Sequence, residues 1–376
     1  MRRAITLLLL FVGVTITDAV DFNRDGQQDY VLYNSSTRQT AIWYLNNNSY
    51  IGGAYAPTLP AGWSLITEAD FNGDGRPDYF LFNTSTGRTG FWYMNNNVRT
   101  GSAYGPTAPF GWIPTTVADF NGDGKPDMVL VNPARSQTAV WYLNNNVYTG
   151  GGYGPLIPGG YLLVSAAGDF NQNGKPDFLF YNPTTRRSAI WFLNNRTLVG
   201  SAYGPSLPAS YTLNDLADFN HDGRPDYLLH SDRVTALWYL NGNILLGSAY
   251  GPTIAHGWSL AASASKPCIF SVSPRSVSFP AAGRSRNSYV STLQSGCTWT
   301  ATAPFEYPWI HVTRGNGTNV GSEYVTITVD DSTGPRTGYA TIAGQTVTIS
   351  QAGPEPSGNG TRAGTGTADW VAAHAR

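Results

Sequence analysis

Five nine-residue stretches of the chain share the pattern Asp-Phe-Asn-x-(Asp/Asn)-Gly-x-x-Asp. They start at Asp21, Asp70, Asp119, Asp169 and Asp218, in steps of 49, 49, 50 and 49 residues. Alternate positions carry oxygen donors, the set a hard cation such as calcium takes. In the first stretch these are Asp21, Asn23, Asp25 and Asp29, with Gln27 able to offer its backbone carbonyl. The second offers Asp70, Asn72, Asp74, Asp78 and the carbonyl of Arg76, and the third Asp119, Asn121, Asp123, Asp127 and the carbonyl of Lys125. The fourth has Asp169, Asn171, Asn173, Asp177 and the carbonyl of Lys175; the fifth has Asp218, Asn220, Asp222, Asp226 and the carbonyl of Arg224. A glycine at the sixth position allows the sharp turn that folds such donors inward. A single copy reads equally well as an Asx-turn. Five in register argue for up to five calcium ions. The fourth stretch has two carboxylates where the others have three, so it is expected to bind most weakly.

The stretches hold 14 of the 24 acidic residues. Three carboxylates within nine residues repel one another unless a cation relieves them. Few acids remain for catalysis. Between the stretches only Glu68, Asp215 and Asp232 are left, the five histidines show no ligand spacing, and no Gly-x-Ser-x-Gly elbow exists. A glycosidase would need two positioned carboxylates, for which Glu68 and Asp232 are the weak candidate pair. The expectation is a protein without catalytic residues; a polysaccharide-active enzyme or a purely adhesive surface protein is the alternative.

Each 49-residue unit contains four short strand-like runs, in the first unit Tyr30–Tyr33, Thr40–Leu45, Tyr50–Tyr55 and Trp63–Thr67. The second run recurs as Ala41–Leu45, Gly90–Met94, Ala139–Leu143, Ala189–Leu193 and Ala236–Leu240. It is apolar without alternation, as a strand covered on both faces requires. Its tryptophans, Trp43, Trp92, Trp141, Trp191 and Trp238, are expected in the core. Asn-rich turns follow, suited to the positive φ of tight hairpins. Charged residues are only 12% while glycine and proline are abundant, a turn-rich β composition. An all-β fold follows: a β-propeller of five four-stranded blades, with an incomplete ring as the alternative, and Gly257–Leu260 as the fourth strand of the fifth unit.

The acidic stretches resemble the FG-GAP/VCBS-type calcium repeats of integrin α-subunit propellers and many exported bacterial proteins. The resemblance covers about residues 21–264 and implies calcium at blade-connecting loops, bracing structure. In place of a strict Phe-Gly…Gly-Ala-Pro element stands Ala-Tyr-(Gly/Ala)-Pro, as at Ala54–Pro57, Ala103–Pro106, Ala202–Pro205 and Ala249–Pro252. Its tyrosines, such as Tyr104 and Tyr203, are the better candidates for exposure to a sugar.

From Lys266 the period stops and alternating β runs begin. Cys268, Cys297-Thr298-Trp299, Trp309–Val312, Arg336–Gly338 and Gln351–Gly353 resemble a BACON domain, an Ig-like β-sandwich module. Trp299 and Trp309 are expected in its core. Cys268 and Cys297, lacking Cys-x-x-Cys spacing, read as one disulfide in an exported chain; two free thiols are the alternative. The organisation expected is a signal peptide over 1–19, the propeller over 20–264, the sandwich over 265–353 and a disordered tail over 354–376. Gly13–Ala19 also aligns with the strand that precedes each later acidic stretch, so a longer array cut short is the other reading; Arg2-Arg3 before a leucine run favours the signal. A secreted, periplasmic or cell-surface location follows. No basic cluster supports nucleic acid, and no apolar run is long enough for a transmembrane segment. The expected partners are carbohydrate or a cell-surface protein ligand, met by a monomer. The formal charge is −1 and each bound calcium would add two, so anionic polysaccharide is favoured.

Overall fold

The computed structural model describes residues 20–261, 268–292 and 297–354. The expected signal peptide and nearly all of the expected tail lie outside the described residues. The chain is all-β: five four-stranded antiparallel sheets, then a four-stranded and a five-stranded sheet. The five sheets are propeller-like blades. Blade 2 comprises Trp63–Ala69, Asp78–Asn83, Arg88–Asn95 and Val98–Thr107, and blades 3 to 5 repeat it over 113–156, 162–206 and 212–253.

The sheets do not follow the sequence units. The fourth run of each unit is the first strand of the next blade, because its backbone pairs antiparallel with the strand that follows the next acidic loop. Each acidic loop of blades 2 to 5 therefore joins two strands within a blade, rather than connecting blades as the resemblance implied. Blade 1 holds Tyr30–Asn34, Gln39–Asn46 and Ser49–Thr58, and takes its remaining strand, Ser259–Leu260, from the far end of the repeats. Leu32 lies opposite Leu260 and Tyr33 opposite Ser259. Gly257–Leu260 thus completes the first blade, not the fifth unit.

Side chains at the Asn-rich turns staple one blade to the next. The Tyr44 hydroxyl donates to Asn96 Oδ1 (2.7 Å), Tyr93 to Asn145 (2.9 Å), Tyr142 to Asn195 (2.7 Å) and Tyr239 to Asn47 (3.0 Å). The last of these links the fifth sheet to the first. Where blade 4 has Phe192 and lacks the hydroxyl, blade 5 has Gly242 instead of the asparagine. A second asparagine donates to the tyrosine carbonyl of the preceding blade: Asn97 to Tyr55, Asn146 to Tyr104, Asn243 to Tyr203 and Asn48 to Tyr250. Asn47, Asn96, Asn145 and Asn195 have φ of 52° to 56°, the left-handed geometry expected of them.

Residues beyond the repeats form two facing sheets. One orders Ser271–Ser273, Ser285–Ser291, Glu323–Val329 and Ile310–Arg314; the other orders Ser276–Phe279, Gln345–Gln351, Arg336–Ile342, Thr298–Thr302 and Gly317–Val320. Alternate residues such as Val325, Ile327, Val347 and Ile349 point into one core. Cys268 and Cys297 form the disulfide. Trp299 is buried and its Nε1 donates to the Gly321 carbonyl at 2.7 Å. Trp309 is only half-buried, at the core's edge beneath the Arg336 guanidinium. Arg275 joins this unit to blade 3, donating to the Ala134 carbonyl at 2.8 Å and to Ser136 Oγ.

Leu260 is buried against Leu32, so its side chain anchors the short strand that completes blade 1. Leu260→Ala is expected to cost about 2–5 kcal/mol, read as a lowered urea midpoint for the whole repeat region.

Candidate metal loops and aromatic faces

The loops are organised by their own amides. In the first, Asp21 Oδ1 accepts from Arg24 N (2.6 Å) and Asp25 N (3.1 Å), and Oδ2 accepts from Gly26 N (2.8 Å). Asn23 Oδ1 accepts from Asp25 N, and Asp25 Oδ1 from Gln27 N. The same amide-to-fifth-residue bonds hold Arg76, Lys125, Lys175 and Arg224. The sixth-position glycines have φ near +80°, as the sharp turn demands. Asn72 is typical in donating its Nδ2 to the fifth-position carboxylate, Asp74 Oδ2, at 3.3 Å. Loop 4 has Asn173 there; its Nδ2 turns instead to the Leu193 carbonyl at 3.5 Å.

The ninth Asp does something the sequence reading missed. Asp29, Asp78, Asp127, Asp177 and Asp226 are buried beneath their loops. Each takes one amide from the loop's own phenylalanine and one from the blade's third strand. Asp127 Oδ2 accepts from Phe120 N and Oδ1 from Leu143 N, both at 3.0 Å. The other four repeat this clamp. Its signal was the Asp that persists in loop 4, where the fifth-position carboxylate is lost. The adjacent phenylalanines, Phe22, Phe71, Phe120, Phe170 and Phe219, are buried. Several pack edge-on across the blade boundary, Phe22 on Tyr79 and Phe170 on Tyr227; Phe219 meets Tyr30 of the first blade. Burial pushes each ninth-position carboxyl up to about 7, against the lowering effect of its amide donors.

Tested as a cation site, each loop offers carboxylate and amide oxygens only, a hard-cation set. Among the described residues no group of three or more His, Cys, Asp or Glu side chains is disposed around one point. With the ninth Asp turned inward and buried, the side chains left at the loop surface are those of positions one, three and five. Loops 1 to 3 also line a cavity of about 760 Å³ with Arg24, Glu68, Lys125 and His221. Asp232 does not line it, so the two candidate catalytic acids share no pocket there.

Away from the loops, each blade shows a repeated aromatic face. Tyr55, Tyr104, Tyr153, Tyr203 and Tyr250 are between 57% and 74% exposed. Trp63 begins the first strand of blade 2, and Trp258, Trp112, Tyr161 and Tyr211 immediately precede the first strands of the other blades; all five are half-buried. Trp112 and Tyr153 stack with centroids 5.8 Å apart and planes at 22°; Trp63 and Tyr104 lie at 6.1 Å and 31°, Trp258 and Tyr55 at 5.9 Å and 34°. Gly90 explains how Trp63 lies flat across its sheet: a Cβ there would stand 3.0 Å from the indole. The residue opposite each exposed tyrosine on the third strand is Ala41, Gly90, Ala139, Ala189 or Ala236, small in every blade. Sequence reasoning found Tyr104 and Tyr203 but not their partners. The third-strand tryptophans are less buried than expected: only Trp92 is in the core, while Trp43 and Trp141 are half-buried under Tyr50 and Tyr148.

With this geometry, the chain belongs to the family of FG-GAP-like repeats, whose model matches residues 21–81, 70–130, 119–180 and 169–229, together more than half of the chain. No curated protein matches it. Among solved structures it is similar to a Bacteroides ovatus GH5 xyloglucanase in complex with a XXXG heptasaccharide (20% identity, 23% of this chain and 19% of that one, TM-score 0.19). It is also similar to an Agrocybe aegerita lectin that recognises non-reducing terminal N-acetylglucosamine (13% identity, 61% and 64%, TM-score 0.38). A third is a Bacteroides caccae protein of unknown function (13% identity, 59% and 72%, TM-score 0.33). The chain thus spans about a fifth of the first and under two thirds of the second. At these TM-scores the likenesses carry no argument.

Asp127→Asn, which sets an NH2 group against one of two amide donors, is expected to cost about 1–3 kcal/mol in chelator. Asp123→Asn, the residue loop 4 already uses, should cost under about 0.5 kcal/mol there; urea unfolding of both distinguishes clamp from rim. A pH series in chelator tests the clamp differently. The folded carboxyls titrate near 7 and the unfolded ones near 3.8, so between these values the folded state holds more protons. Their contribution to stability is full below about 4 and is lost as pH rises through 7, seen as a melting temperature that falls along the series.

Proposed function

We propose that this is an exported, calcium-braced binding protein without catalytic activity, whose ligand is carbohydrate. The single observation that carries the reading is the exposed tyrosine that recurs in each of five sheets, set against a half-buried tryptophan in three of them. Sugar rings present apolar C–H faces, and flat aromatic surfaces with polar rims are what such faces stack on. A scaffold alone has no use for five exposed tyrosines at equivalent positions, since exposing an aromatic contributes nothing to folding.

In this reading the five sheets close a ring, supported by the Leu32–Leu260 pairing and by the Tyr239–Asn47 and Asn48–Tyr250 staples. Calcium is taken by positions one, three and five of each loop and the seventh carbonyl. A bound ion would supply positive charge to the rim carboxylates; the ninth Asp keeps the loop clamped whether or not the ion is there. The two facing sheets with their disulfide are read as a BACON-like, Ig-like sandwich. The disulfide also fits an oxidising compartment outside the cytosol. Among the described residues no helix is long and apolar enough to cross a membrane.

Melting with calcium and then with chelator tests the metal: calcium is expected to raise the midpoint, with loop 4 filling last. A glycan screen in calcium tests the ligand. Trp112 stacks on Tyr153, so a bound sugar should change tryptophan fluorescence, and Tyr153→Ala, Tyr55→Ala and Tyr250→Ala combined should weaken binding about tenfold or more while leaving the melting temperature within a few degrees. Binding unchanged in that variant would remove the aromatic faces from consideration.

A further inference from the structure

The five aromatic faces are not alike. The residue that opens the third strand stands beside each exposed tyrosine, and it is Gln39, Arg88, Gln137, Arg187 or Val234. In blade 3, Gln137 spends its amide on the main chain, donating to the Gly154 carbonyl at 2.6 Å and the Thr138 carbonyl at 3.1 Å. Gln39 does the same in blade 1 with Ala56 and Thr40. Arg88 and Arg187 do neither. The Arg88 guanidinium lies 3.9 Å from the centre of the Tyr104 ring, and that of Arg187 lies 3.8 Å from Tyr203. Both arginines are exposed. Among the described residues neither guanidinium has a hydrogen bond or an ion pair.

The fold does not require these arginines. Glutamine satisfies the position in two blades and valine, which offers no polar group, in a third. A guanidinium resting on a ring face keeps its N–H donors in its own plane, pointing outward past the ring edge. That fork matches two oxygens of one carboxylate or sulfate, and it does so beside an aromatic surface suited to a sugar ring. We propose that blades 2 and 4 are acidic-sugar sites, with Arg88 and Arg187 as the residues that select an anionic group, while blades 1, 3 and 5 take uncharged sugar. The ligand class is a pyranose bearing a carboxylate or sulfate. Two such sites separated by one blade would engage a polyanionic glycan twice, adding avidity that a single sugar acid lacks. This inference rests on the aromatic faces being sugar sites and needs no bound metal.

The test uses the full chain and two matched probe pairs: a glucuronate-containing oligosaccharide with its carboxyl-reduced counterpart, and a sulfated galactan oligosaccharide with its desulfated form. The variant is Arg88→Gln with Arg187→Gln, a side chain that blades 1 and 3 already accommodate. In titration calorimetry the variant should lose about tenfold or more in affinity for a charged probe while its affinity for the uncharged partner stays within about twofold. The pair that shows the loss identifies carboxylate or sulfate as the group read. Added salt should weaken charged-probe binding by wild type and not by the variant. Equal loss for charged and uncharged probes would make the arginines supports for the tyrosines, and no loss for either charged probe would make them idle; each overturns the proposal. Binding of uncharged probes by both proteins, without charged preference, would leave the sugar reading standing and remove only this inference. Failure of every probe with wild type would remove both.

Discussion

A buried carboxylate that accepts two amides, repeated in each blade, is the interaction on which the rest of this structure hangs. Through it the ninth Asp holds the loop's phenylalanine amide with one oxygen and the third strand with the other. Three things are fixed at once: the loop's position over its sheet, the phenylalanine's entry into the blade boundary, and the rim where the remaining oxygens stand. Burying a carboxyl is unfavourable unless hydrogen bonds compensate it, and here both oxygens are met. Loop 4 shows the hierarchy. It has exchanged a rim carboxylate for Asn173 while keeping Asp177 in the clamp.

The regularity of the chain made much of this legible. The 49-residue interval, the apolar runs and the Asn-rich turns located nearly every strand and hairpin, because period and turn chemistry are local properties. What escaped was partnership. The grouping of strands into sheets depends on which neighbour a run meets in space, and the sequence unit, cut at the acidic loop, placed Trp63–Ala69 with the wrong three strands. The asparagines were read for their backbone geometry alone. Their side chains, stapling Tyr44 to Asn96 and Asn97 to Tyr55, act between blades and leave no trace in a single repeat.

The candidate sites divide the same way. Oxygen donors at alternate positions were visible as a pattern, yet only the fold separates the rim set from the clamp. Exposed tyrosines could be guessed from a Pro-containing turn, whereas Trp63 and Trp112 lie some forty residues from the tyrosines they face. Their pairing needs a small residue on the third strand, and the recurring Ala or Gly there was the one available clue. Compensating changes tell most about purpose. Phe192 with Gly242 is a staple lost on both sides together, as structure demands; Arg88 and Arg187 rest on Tyr104 and Tyr203, where the other blades place glutamine or valine.

Blade 1 is assembled from both ends of the repeat region. As the chain emerges during synthesis, blades 2 to 5 can each pair their strands from contiguous sequence, but Tyr30–Asn34 must wait for Ser259–Leu260. Contacts so distant along a chain form slowly, because the intervening loop must first be closed. During that interval one edge of blade 1 stays open, with unpaired backbone groups able to recruit a strand from another molecule. Beyond the closing strand, Cys268 is bonded to Cys297 and Arg275 docks on blade 3. In kinetic terms the last two residues of the repeat region act as a latch on blade 1.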